Sequence, residues 1–208
     1  MGVKIGKITL GMCQTNCFFL YQEDSKKVVL IDPADQGKYI HDKLASVGFE
    51  VAVIFLTHGH FDHFLGADEI RKLTGAKIYA PEADKVLLDD GYVNLSAQWA
   101  RPQTLKADEY IRDGEEFSFE GVSFKCIATP GHTIGSMCFY LEDDKILVSG
   151  DTLFYESIGR TDFPTGSLAK LQASIREKLM KLPDDVRVYP GHGAATDIAH
   201  ERECNPYA

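Results

Sequence analysis

The chain has no apolar run of the roughly 20 residues that a membrane-crossing helix needs, so no such helix is expected. Cysteine is scarce. Cys13, Cys17, Cys126, Cys138 and Cys204 are odd in number and include no CxxC pair, which excludes the disulfide framework of a small secreted domain. They are expected to be small buried residues rather than metal ligands, and a reducing cytoplasm is the expected compartment. Positive charge is also in deficit, with 22 basic residues against 31 acidic ones and a formal net charge of -9. A nucleic-acid or anionic-membrane surface would work against that field, so polyanionic partners are disfavoured and a small-molecule substrate is expected. The opening MGVKIGKITL lacks the basic stretch and apolar core of an export signal, and it carries Gly6 where a myristoylation motif wants Ser or Thr.

What is present is 208 residues with 44% hydrophobic positions, the size and composition of one globular domain over 1–208. Short apolar runs at 3–10, 16–21 and 28–31 predict strands. Helical spacing over 36–47 leads into VAVIFL at 51–56, which reads as a strand buried on both faces. The pattern then predicts a helix over 63–74, a strand at 78–80 and a short helix after Pro81. Further strands are predicted at 122–128, 137–141, 145–149 and 186–189, with a helix after Ser167 as its N-cap. Repeated helices and strands imply a layered α/β architecture. Between Leu88 and Gly114 the sequence is mostly polar, with isolated Tyr92, Trp99, Arg101 and Tyr110, and reads as a long loop, either a wall of the substrate mouth or a plain surface excursion.

Chemistry concentrates at Thr57-His58-Gly59-His60-Phe61-Asp62-His63, immediately after the buried strand. Positions two apart in extended backbone point to one side, so His58 and His60 can converge on one ion. Asp62 and His63 open the next helix, where the change of direction aims them at a second. A lone histidine often just lines a polar loop, but an HxHxDH cluster is far more specific. Three other predicted strands end the same way: FKCIATP precedes Gly131-His132, KILVSG precedes Asp151, and VRVYP precedes Gly191-His192. Open α/β sheets place ligand sites outside the carboxyl ends of their strands, so one rim can collect all seven groups. Gly131 and Gly191 suit the sharp turns that deliver the histidines.

HGHFDH, PGHT, GDT and PGHG, taken together, closely resemble the metallo-β-lactamase superfamily over most of the chain. The resemblance implies a four-layer αββα sandwich with the site at one edge. It implies that His58, His60 and His132 hold one metal, that Asp62, His63 and His192 hold a second, and that Asp151 bridges them. Asp151 stands where many β-lactamases carry cysteine, which points away from antibiotic hydrolysis. SGDTLFYESIGRTDFPTGS at 149–167 and ERECNPY at 201–207 resemble the glyoxalase II-like branch, the hydroxyacylglutathione hydrolases and their short bacterial relatives, which implies a thioester substrate such as S-lactoylglutathione.

Two divalent ions, zinc first with iron or manganese also suited, would share a water whose pKa falls to roughly 7. Asp62 and Asp151 are the catalytic candidates, Asp62 orienting the nucleophile and Asp151 joining the ions. A thiolate leaving group, with a conjugate pKa near 8.5, needs no general acid. Around the site, Arg160 and Asp162 are expected to pair with each other, or else to meet a substrate carboxylate. Asp32 is a hydrogen-bond partner for a ligand histidine or simply a turn residue before Pro33. His41 and His200 are expected to be solvated bystanders. The rival readings are a mononuclear-iron persulfide dioxygenase, a hydrolase of another ester or lactone, and a metal-stapled protein without catalysis. If the hydrolase reading holds, His58→Ala and Asp151→Ala each lose bound metal and thioester hydrolysis together; turnover by a metal-free Asp151 variant would contradict it.

Overall fold

A computed structural model describes residues 2–99 and 101–208. Its first sheet runs in chain order through β1 (Val3–Leu10), β2 (Thr15–Gln22), β3 (Lys27–Ile31), β4 (Glu50–Phe55), β5 (Lys77–Pro81) and β6 (Glu109–Ile111). Pairing is antiparallel from β1 to β3 and parallel from β3 to β6. The parallel crossovers carry α1 (Gly37–Ser46), the short α2 (Phe61–Phe64) with α3 (Ala67–Thr74), and α4 (Lys85–Leu88) with α5 (Ser96–Trp99).

The second sheet is built from β7 (Glu116–Phe119), β8 (Val122–Ala128), β9 (Met137–Leu141), β10 (Ile146–Gly150), β13 (Arg187–Pro190) and β14 (Thr196–Asp197). Its spatial order is β14-β13-β10-β9-β8-β7, with only β10 and β13 parallel. A small hairpin of β11 (Leu153–Phe154) and β12 (Ser157–Ile158) stands apart, and the helices α6 (Leu168–Glu177) and α7 (Ile198–Cys204) complete the chain.

Three apolar clusters separate four layers, so the architecture is the αββα sandwich. Side chains alternate across a strand, and the clusters follow that alternation residue by residue. Val28, Leu30 and Ile54 face Ile40, Leu44 and Ile70 of α1 and α3. Val29, Ile31, Val53 and Phe55 face the second sheet, where Phe124, Phe139 and Val148 meet them. Cys138, Leu147 and Val188 turn outward to Leu171 and Ile175 of α6 and to Ile198 of α7. Both faces of β3, β4, β9 and β10 are thus covered, which explains their nearly continuous apolar runs.

Several expectations need correction. The predicted helix over 63–74 is two helices, because the Gly66 amide donates to Pro33 O at 2.8 Å and the chain changes direction there. The stretch 88–114 is more ordered than a loop: it carries α5 and β6, and the buried Asn94 amide donates to Leu87 O and Gln103 O, both at 2.9 Å, holding the segment together in place of a ladder. The strand β7, the short pairings β11–β12 and β14, and helix α7 were not expected. Cys17, Cys126 and Cys138 are buried, but Cys13 is half-buried and Cys204 exposed. No helix among the described residues is long and apolar enough to cross a membrane.

Candidate metal centre

Four strands end at one rim. Beyond β4 comes Thr57-His58, beyond β8 the loop to His132, beyond β10 Asp151, and beyond β13 Gly191-His192. Backbone hydrogen bonds sew the two sheets together there, Met137 N to Thr57 O at 2.8 Å and Asn16 N to Gly191 O at 2.7 Å, and within the second sheet Gly191 N donates to Gly150 O at 2.9 Å. The turns leave no room for side chains. A Cβ on Gly191 would lie 2.3 Å from Asp151 Oδ1 and 2.7 Å from His63 Cε1. Gly131 has φ +143°, and a Cβ there would meet Leu171 N at 2.3 Å.

All seven side chains singled out in the sequence come together at this rim. The donor atoms of His58, His60 and His132 lie within 4.8 Å of one another, as do those of Asp62, His63 and His192. Asp151 stands between the two trios: its Oδ2 is 3.5 Å from His132 Nε2 and 3.4 Å from His192 Nε2, and its Oδ1 is 3.5 Å from His63 Nε2. His60 Nδ1 faces His132 Nε2 at 2.9 Å.

Outer contacts orient four of the rings. His63 Nδ1 donates to Asp32 Oδ2 at 2.9 Å, His132 Nδ1 to Arg160 O at 2.7 Å, His192 Nδ1 to Cys13 O at 3.1 Å, and His58 Nδ1 to Thr57 Oγ1 at 3.1 Å. With that proton placed outward, each ring turns Nε2 inward, where it offers a lone pair once any second proton is displaced. Asp32 also accepts from Thr57 N and Thr57 Oγ1, at 2.8 and 2.7 Å, so it joins the end of β3 to the turn after β4 and to α2. It serves as the histidine's partner while also holding a turn, its own C=O accepting from Ala34 N at 2.7 Å.

The group fits a divalent cation. Buried His58 Nε2, His60 Nε2 and Asp151 Oδ1 have no hydrogen-bond partner among the described residues. An unsatisfied buried polar atom costs about 1–3 kcal/mol, a penalty that a bound ion removes. Imidazole and carboxylate donors suit zinc, iron or manganese.

Charge divides the two trios. Burial strips protons from His58, His60 and His132; His58 falls well below its ordinary value, and His60 is lowered to about 3 with repulsion from His132 adding to the effect. Burial acts the same way on His63, but Asp62, Asp151 and Asp32 outweigh it and raise this imidazole to about 9. His192 is raised to about 11 because its hydrogen bonds to Asp151 and Asp62 overcome burial. Burial would raise both carboxyls, yet the charge on His63 and the bond from His192 hold Asp151 at about 2 and Asp62 below the usual carboxylate range. Without a cation, then, the trio around Asp62 keeps protons as its counter-charge, and a metal must displace them.

Other residues support the rim without any signal in the sequence. Thr15 Oγ1 donates to Asp62 Oδ2 at 2.7 Å. Buried Asp84 accepts from Gly59 N at 2.8 Å, and from Thr133 Oγ1 and Gly135 N, both at 2.7 Å. It ties the His58–His60 turn to the His132 loop, and burial pushes its carboxyl up to about 6. Arg160 and Asp162 form a bidentate pair at 3.0 and 2.7 Å, and the guanidinium lies 4.2 Å over the Phe163 ring, which in turn meets the His60 ring at 5.7 Å. His41 sits 3.1 Å from Asp42. His200 also lies outside the two trios, 3.0 Å from Glu156 Oε1 and stacked on Tyr155 at 4.9 Å. Beside Asp62, residues of the 88–114 stretch, Trp99 among them, line a pocket of about 240 Å³.

The chain was compared with known proteins. The family profile of the metallo-beta-lactamase superfamily matches residues 10–192. A probable metallo-hydrolase of Streptococcus pyogenes serotype M6 is 34% identical over 211 residues, covering 99% of this chain and 90% of that protein. The hydroxyacylglutathione hydrolase GloC of Haemophilus influenzae is 34% identical, with 93% and 92% covered. Among solved structures, the BLEG-1 B3 metallo-beta-lactamase matches with a TM-score of 0.93 at 35% identity, covering 98% of this chain and 99% of that one. TTHA1623 in a di-iron-bound form matches at 0.86 and 30% identity, covering 98% and 100%.

Two outcomes follow from this geometry. Metal affinity, measured by chelator competition, should weaken as pH falls from 9 to 7, by about tenfold per pH unit for each proton displaced from His63 and His192, because protons hold the site that the ion must enter. A pH-independent affinity would contradict that picture. Asp32→Asn removes an acceptor from His63 and should lower metal affinity about 10–100-fold with the circular dichroism spectrum unchanged.

Proposed function

The chain belongs to the metallo-beta-lactamase superfamily, and on that premise we propose that it is a single-domain, cytoplasmic, binuclear metal-dependent hydrolase of a small thioester. In this reading His58, His60 and His132 hold one ion, Asp62, His63 and His192 the other, and Asp151 joins them. The observation that carries the reading is Asp151: its carboxylate lies 3.4–3.5 Å from histidines of both trios, Oδ2 between His132 and His192 and Oδ1 beside His63, and Oδ1 is buried without a hydrogen-bond partner among the described residues. The likeness to a hydroxyacylglutathione hydrolase supports the thioester class.

When bound, the two ions supply a Lewis acid for the acyl oxygen and acidify water to a pKa near 7. The chain's own part is orientation. Thr15 Oγ1 occupies Asp62 Oδ2 at 2.7 Å, which fixes the carboxylate so that it accepts the hydrogen bond of the attacking water and aims its lone pair at the acyl carbon. Asp32, Arg160 O and Cys13 O hold His63, His132 and His192 so that no ring rotates during the reaction. The thiolate departs without a dedicated acid because its conjugate thiol has a pKa near 8.5. The buried walls keep bulk water from competing with these few oriented groups.

A second reading is a centre with a single iron that serves persulfide oxidation; the di-iron-bound form of a relative supports iron as the metal but with two ions, not one. The likeness to a B3 metallo-beta-lactamase puts β-lactams among the substrates to try, despite Asp151. Elemental analysis of protein produced without added metal, paired with activity assays on a thioester, a β-lactam and glutathione persulfide, separates the readings. The expected result is about two metal ions per chain, as in binuclear hydrolytic centres, with thioester cleavage independent of oxygen. One iron per chain with oxygen uptake on the persulfide, or cleavage of the β-lactam alone, would replace the proposal.

A further inference from the structure

The pocket beside Asp62 has a volume of about 240 Å³. Sites that enclose a whole ligand usually measure about 300–1,000 Å³, so this one takes one arm of a substrate whose reacting bond lies over the histidines. Met12 from the turn between β1 and β2, Phe61 and Leu65 from α2 and its C-cap, and Trp99 from α5 form its apolar wall. Met12 is 65% exposed and Trp99 58% exposed, so two large apolar side chains at the lip remain in water, where covering them is favourable.

Charge selects further. Among the described residues, the ionisable side chains lining the pocket are Asp35 and Asp62, with no lysine or arginine. Asp35 Oδ1 already accepts from Gln36 N at 2.7 Å, and Asp62 is engaged by Thr15 and His192. Arg160 sits toward the other trio, over Phe163 beside His60, with its guanidinium neutralised by Asp162. Asp62 is taken up as a ligand in the hydrolase reading, so the charge left at the pocket wall is that of Asp35, which repels an arm carrying carboxylates, and no lysine or arginine among the lining residues pairs with such an arm.

We infer that this pocket receives an uncharged, apolar arm of the thioester, aryl or aliphatic, rather than a glutathione arm with its two carboxylates. The inference rests on the hydrolase reading above and narrows its substrate.

The chain has a single tryptophan, and it is Trp99, so its emission reports on the pocket independently of turnover. S-benzyl thioacetate and S-acetylglutathione share an acyl group and differ in the arm; benzyl ethyl thioether and S-ethylglutathione are their uncleavable counterparts. The metal-loaded protein should cleave the benzyl thioester with the higher kcat/KM. Met12→Ala/Trp99→Ala should raise its KM about tenfold with kcat little changed, leaving S-acetylglutathione unaffected. Both residues are exposed, so the thermal transition should not move. Benzyl ethyl thioether should shift Trp99 emission to the blue, less so in Met12→Ala, and S-ethylglutathione should not. Preference for S-acetylglutathione, or a Trp99 signal silent to the thioether, overturns the inference even if thioesters are cleaved. A Trp99 response with neither thioester cleaved leaves the apolar pocket standing and removes the hydrolase reading instead.

Discussion

A buried imidazole that gives its one proton to a fixed oxygen has a single nitrogen left, and the direction of that nitrogen is then decided. Four histidines of the rim are held in this way, by Thr57, Asp32, Arg160 O and Cys13 O. Each outer oxygen belongs to a different segment, so the inner lone pairs converge only if the strand ends are in place. Asp32 concentrates the constraint: it accepts three hydrogen bonds while wholly buried, and those bonds link β3, the turn after β4, and α2.

The layered fold exists to make that convergence affordable. Crowding imidazoles and carboxylates in a dry place is unfavourable by itself. The three apolar clusters, with Phe55 at the centre of an aromatic group between the sheets, supply the burial that offsets it. The cost is concentrated at a few atoms of the site residues, His58 Nε2, His60 Nε2 and Asp151 Oδ1, that are buried without a hydrogen-bond partner among the described residues. That is the arrangement expected of a protein whose stability and chemistry both wait on a cation.

Particular elements show where sequence reasoning reached and where it stopped. Strands covered on both faces, such as VAVIFL, announce themselves as apolar runs because both neighbouring layers demand it. The histidine cluster was legible because four metal-capable residues in six positions have no ordinary structural use. The stretch 88–114 is mostly irregular, as read, but the short α5 and β6 within it left no sign, since its order comes from buried amide and hydroxyl groups of Asn94 and Ser96 that leave no periodic trace. Helix α7 escaped notice although Asp197 caps it through His200 N at 2.8 Å, because seven residues barely establish a helical period. Asp84 carried no signal either; its three partners lie 25 to 51 positions away.

The amino-acid sequence by itself determined the chemistry available, five histidines and two aspartates of which four directly follow a glycine, and the alternation that layers the sheets. Only the tertiary structure decided that Asp151 lies between two trios, that Asp32 supports His63, and that Met12 and Trp99 share a pocket with Asp62. The physical reason is that side-chain type and period are local properties. Distance between residues far apart in the chain arises when whole faces are buried together, and no local pattern encodes it.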